Sequence, residues 1–82
     1  MISILQLKAA RVMLNLSAKD LAEMSGVGVA TIRRYEMQDG IPSGNAQNLF
    51  KLKTVLEDQG IEFVGDPLTN PGVFLHIKKK AK

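Results

Sequence analysis

The chain has 82 residues, 45% of them hydrophobic, and eleven Lys and Arg against eight Asp and Glu give a net charge of +3. That is the scale of one small domain with an ordinary globular core. With no cysteine and a single histidine, a disulfide scaffold, a cysteine- or histidine-based metal centre, and thiol or Ser-His-Asp catalysis all fall away.

No apolar run approaches the roughly 18 residues that span a bilayer, and no basic-then-apolar leader is present, so a soluble cytoplasmic protein is expected. No carboxylate pair or nucleophile-base pair stands out, so a non-enzymatic role without a cofactor is expected. The positive balance is compatible with a polyanionic partner. It is uneven, because Lys78, Lys79, Lys80 and Lys82 crowd the last five residues.

The first predicted helix runs from Ser3 to Asn15, with Ser3 as its cap. Leu7, Ala10, Arg11 and Leu14 share one face, so a charge sits inside an apolar stripe. Ser17, followed three residues later by Asp20, has the spacing of a capping box ahead of Leu21 and Ala22. This second helix is short, because Ser25-Gly26 interrupts it and Gly26 suits a left-handed turn. Val27 supplies an anchor and Gly28 a cap for a third helix, Val29 to about Gln38. Asp39-Gly40-Ile41-Pro42 reads as a loop. Ser43 is the expected cap of a fourth helix, from Gly44 or Asn45 to Asp58, with Leu49, Leu52, Val55 and Leu56 inward and Gly60 as its stop.

From Ile61 onward β-branched and aromatic residues dominate. Ile61–Val64 and Val73–Ile77 are predicted strands, with turn-forming residues between them. Val73, Leu75 and Ile77 share one face of the second strand, and Phe74 and His76 the other. A lone two-stranded ribbon is marginal in water, so it either folds back on the helices or pairs with another chain. Phe63 and Phe74 are expected in the core, since no Arg or Lys interleaves with them as single-strand binding requires. His76 is expected to be an exposed strand residue. The chain thus divides into a helical domain, 1–60, and a β extension with a basic tail, 61–82.

Two short helices joined by a glycine turn, Ser17 to Gln38, have the outline of a helix-turn-helix. On a helical wheel with Ile32 facing the core, Glu36 and Val29 fall near the core side. Ala30 and Arg34 fall opposite, with Arg33 on the flank.

The run Leu16-Ser17-x-x-x-Leu21-Ala22-x-x-x-Gly26-Val27-x-x-x-Thr31-Ile32-x-x-Tyr35-Glu36 resembles the Cro/C1-type (xenobiotic-response-element-like) helix-turn-helix family over roughly residues 7 to 58. The resemblance implies a mainly α, four-to-five-helix lambda-repressor-like bundle, here with a short C-terminal β-ribbon. It implies a small bacterial or phage regulator that binds double-stranded DNA as a homodimer, with the third helix in the major groove. Two alternatives stay open: a DNA-binding antitoxin or accessory subunit, and a helix-turn-helix used only for protein interaction.

Residue by residue, the resemblance makes Leu21, Ala22, Val27 and Ile32 the nucleus between the two helices. Arg11 matches a first-helix arginine that pairs with a glutamate, here Glu36. Val29, Ala30 and Arg34 match base-reading positions, and Gly28 and Thr31 lie nearer the phosphates. Charge and helix-terminus dipoles suit Arg33, Lys19 and the Ala18 and Asn45 amides to phosphate contact. The sequence departs from the family at Ala18, where glutamine is common, and at Gly28, where Ser or Thr is usual. A free strand edge carrying Val73, Leu75 and Ile77 would serve a dimer or a protein partner.

Overall fold

The computed structural model describes residues 1–77, so the lysines at 78–80 and 82 lie outside the described residues. Four helices are followed by one antiparallel pair of strands: α1 (Ile4–Met13), α2 (Ala18–Ser25), α3 (Val29–Glu36), α4 (Ala46–Asp58), β1 (Ile61–Val64) and β2 (Gly72–Leu75). The strands pair in register Ile61 with Leu75 through Val64 with Gly72.

Local chemistry explains most boundaries. Ser3 accepts from the Gln6 amide while Gln6 Oε1 accepts from the Ser3 amide, a complete capping box at the start of α1. Ser17 and Asp20 repeat the arrangement at α2, at 2.9 Å in each direction. Gly26 closes α2 in the left-handed region at φ 76°. The Ser25 hydroxyl then accepts from the Val27 amide at 3.1 Å, which turns the chain toward α3.

Four boundaries differ from the sequence reading. Helix α1 ends at Met13 rather than Asn15, which stands in the left-handed region at φ 58°. Helix α3 stops at Glu36 rather than Gln38, since the Met37 and Gln38 amides bond to carbonyls three residues back, a tightened turn. Asn45, not Ser43, caps α4, its Oδ1 accepting from the Gln47 amide at 2.8 Å. The Ser43 amide and hydroxyl both face Gln38 Oε1, and Gly44 at φ 112° separates Ser43 from the helix. Strand β2 is Gly72–Leu75, so His76 and Ile77 lie past its end.

The core gathers Ile2, Leu7, Ala10, Leu21, Val27, Ile32, Tyr35, Leu49, Leu52, Leu56 and Ile61, drawn from all four helices and β1. The ribbon folds back onto this core, with Phe63, Val73 and Leu75 packed against it. Gln6 pins it there. Its Nε2 donates to the carbonyls of Val64 and Gly72, both at 3.1 Å. Phe74, expected in the core, is exposed, because alternation along β2 turns it to the opposite face from Val73 and Leu75. Gly60 must be glycine: at φ 105°, a Cβ there would lie 2.5 Å from the His76 carbonyl oxygen, and the His76 amide donates to the Gly60 carbonyl at 2.8 Å.

Candidate nucleic-acid interface

Helix α3 is anchored on one face. Ile32 and Tyr35 are buried, and the Tyr35 hydroxyl donates to the Asn45 carbonyl at 3.3 Å, tying α3 to the start of α4. At its end, Glu36 meets Arg11 of α1 in a two-pronged pair: Nε to Oε2 at 2.7 Å and Nη2 to Oε1 at 2.8 Å. Arg11 Nη1 also donates to the Leu16 carbonyl at 2.8 Å, so one guanidinium fastens α1, the α1–α2 loop and α3. The side chains keep only 17% and 11% exposure. The hydrogen bonds to Glu36, and then its charge, raise the Arg11 pKa above the ordinary arginine value, against an opposing contribution from burial.

The opposite face is open. Ala30, Arg33 and Arg34 are exposed, and Val29 and Thr31 are half-buried. Among the described residues neither arginine has a carboxylate partner. The Arg34 guanidinium rests 5.8 Å from the Tyr35 ring centroid, within cation–π range, so the cation is held beside the helix with its donors unspent.

Gly28 begins α3 with no side-chain cap, in an extended conformation open to any residue. On α2, Ala18 is half-buried and packs on the core, while Lys19 is exposed. The Asp20 carboxylate in the same turn accepts from the Ser17 amide, and that bond together with the one from the Ser17 side chain lowers its pKa below the usual carboxylate range. This negative charge stands near the α2 amides. Asn45 is exposed at the head of α4.

Of the three strand residues singled out for pairing, Val73 and Leu75 point their side chains into the chain's own core and Ile77 lies exposed beyond β2. Two residues that organise the site carry no role in the sequence reading: Gln6, which seats the ribbon, and Tyr35, which joins α3 to α4. The Gln6 spacing to Ser3 is a capping-box pattern, a signal legible in the sequence.

A helix-turn-helix family model matches residues 7–52, more than half of the chain. The protein is a member of the Cro/C1-type helix-turn-helix family. No curated protein matches the chain. The matched span runs from Leu7 into α4 and takes in the whole α2–turn–α3 unit. The four-helix bundle with its ribbon agrees with a lambda-repressor-like fold. The family comprises DNA-binding helix-turn-helix regulators and is not a family of enzymes. No described helix is long and apolar enough to cross a membrane.

Proposed function

We propose that this protein regulates transcription by binding a specific duplex DNA site as a homodimer, each copy laying α3 in the major groove of one half-site. The observation that carries this reading is Arg34: exposed, without a carboxylate partner among the described residues, and projecting from a helix whose other face is fixed by Ile32, Tyr35 and Glu36. A guanidinium there can donate two hydrogen bonds to guanine O6 and N7, the commonest specific contact. Ala30 and Val29 are suited to a thymine methyl.

Around this centre, Arg33, Thr31, Lys19 and the backbone at Gly28, Ala18 and Asn45 would contact phosphates. The Asp20 carboxylate works against an anion at the start of α2, so there the load falls on Lys19. Direct readout by one copy is thin, with a single strong hydrogen-bonding side chain. Specificity then draws on DNA shape and on doubling the site, with half-sites about 34 Å apart. The helical unit 1–60 does the reading, and the extension from residue 61 serves assembly.

Binding selection from random duplex DNA at two salt concentrations tests this. The selected sites should be near-palindromic, and affinity should fall steeply with salt. Arg34→Ala should flatten the preference at one base position in each half-site, worth about 1–3 kcal/mol against a wrong base, with non-specific affinity nearly intact. An unchanged preference removes Arg34 from the reading role.

A further inference from the structure

The open face of α3 continues past Arg34. Ala30, Arg33, Arg34 and Met37 stand at helical spacing in one row along the helix. Met37 still holds right-handed backbone, at φ −93° and ψ −4°, which keeps its side chain in that row. At 87% it is the most exposed large apolar side chain among the described residues, and it takes no part in the core.

The row is also defined by what it lacks. It holds no carboxylate, amide or hydroxyl. The nearest carboxylate, Glu36, is spent on Arg11, and Gln38 Oε1 accepts from the Ser43 amide at 3.1 Å. The Tyr35 hydroxyl is bonded to the Asn45 carbonyl. Thr31 is half-buried and turned roughly 100° around the helix from Ala30. Adenine N6 and cytosine N4 are donors, read only by an acceptor. A guanidinium offers none, and a thioether sulfur is a weak one. The row can therefore read guanine O6 and N7 through Arg34, and the C5-methyl group of a pyrimidine through the apolar side chains beside it.

We propose that α3 recognises a C5-methyl pyrimidine next to the guanine held by Arg34, that Met37 is the specificity-determining residue covering the methyl, and that 5-methylcytosine serves there as well as thymine. This rests on the DNA-binding reading and names the base class that reading left open. Ala30 stands about 6 Å before Arg34 along the helix axis and Met37 about 4.5 Å after it. A base stacked about 3.4 Å from the guanine falls within that interval. The three rotatable bonds and polarizable sulfur of Met37 let it settle on a methyl whose exact position varies with the docking angle. In the major groove thymine and 5-methylcytosine carry the same methyl at the same position and differ only at position 4, O4 against N4–H₂. With Arg34 committed to guanine and Arg33 on the flank toward phosphate, the row has no group left to tell them apart. Methylation of a cytosine would then turn a weak site into a strong one.

Fluorescence anisotropy with short duplexes tests this, starting from the site obtained by selection from random DNA. Each thymine of one half-site is replaced in turn by deoxyuridine, which removes the methyl alone. The change beside the guanine should weaken binding about three- to fivefold, the worth of one buried methyl. Exchanging that T·A pair for C·G should weaken binding at least as much, and C5-methylation of the new cytosine should restore most of it. For Met37→Ala the thymine and deoxyuridine duplexes should bind alike, while Met37→Leu keeps the difference. A residue that only supported the fold would lower both affinities together. The inference is overturned if no deoxyuridine substitution weakens binding, if methylated and plain cytosine bind equally, or if Met37→Ala keeps the full methyl preference. Each of those outcomes leaves a selected site standing, whereas failure to select any site defeats the DNA-binding reading itself.

Discussion

Arg11 and Glu36, 25 residues apart in sequence, meet through two parallel hydrogen bonds of 2.7 and 2.8 Å that join the first helix to the end of the third. Glu36→Ala leaves a largely buried guanidinium without its counter-charge. The expected cost is about 2–3 kcal/mol, toward the lower end for breaking a buried pair because some solvent reaches both groups. Glu62→Ala breaks only the exposed 2.7 Å contact with His76 and should cost under about 0.5 kcal/mol. Thermal denaturation should separate the two variants by roughly 10 °C, given about 4–8 °C per kcal/mol at this size; equal midpoints contradict the clamp. Replacing Arg11 and Glu36 together by Met and Leu should recover only part of the loss, since the Leu16 carbonyl also loses its donor.

Gln6 offers a sharper test, because its two ends do different things. In an ordinary capping box, Glu serves as well as Gln. Here Gln6→Glu keeps the acceptor for the Ser3 amide but turns a carboxylate oxygen toward the Val64 and Gly72 carbonyls. It should destabilise by about 2 kcal/mol, as expected when buried acceptors lose a donor. Hydrogen exchange at the ribbon amides should accelerate more than exchange in α2. If Gln6→Glu matches the wild type, Gln6 does not seat the ribbon.

Acid should act through Asp20. Its carboxyl accepts from the Ser17 amide, so its folded pKa lies below its unfolded value of about 3.9. A depressed carboxylate stabilises fully above the unfolded pKa and loses that contribution as pH falls through the folded one. Asp20→Asn should therefore melt below the wild type at neutral pH, with the gap closing below about pH 4. A gap that widens in acid reverses the sign and refutes the cap.

Gly28→Ser should raise stability by a few tenths of a kcal/mol. The backbone there is already extended, at φ −61° and ψ 143°, and an added Cβ meets no atom within 4 Å. The new hydroxyl can accept from an amide in the first turn of α3. Gly26→Ala, at φ 76°, should instead destabilise by about 1 kcal/mol. Paired denaturant melts check both signs.

Much of this architecture is legible in the residues. Ser3, Ser17 and Gly26 mark helix ends through hydrogen bonds that depend on near neighbours alone. The stripe Leu49, Leu52, Val55 and Leu56 marks the inner face of α4. The charge in the stripe of α1 points to a partner, which the structure supplies as Glu36. What the pattern could not separate was Ser43 from Asn45, two good caps two residues apart, where Ser43 turned instead to the Gln38 side chain five residues back across the loop. The fate of the ribbon was equally closed to inspection, because alternation assigns faces but not what covers them. Val73 and Leu75 go to the core and Phe74 to solvent only because α1 and Gln6 hold one side of the sheet.

The bond from Gln6 to the ribbon has a mechanical consequence. The ribbon, the first helix and the Arg11–Glu36 clamp form one continuous brace running to the end of α3, with no loop free to bend along the way. Two copies held together in the proposed homodimer would therefore behave like a caliper locked at one opening, its two jaws at a set distance and twist. Operators with an extra base pair between their halves would be refused by rigidity alone, without any side chain touching the inserted step.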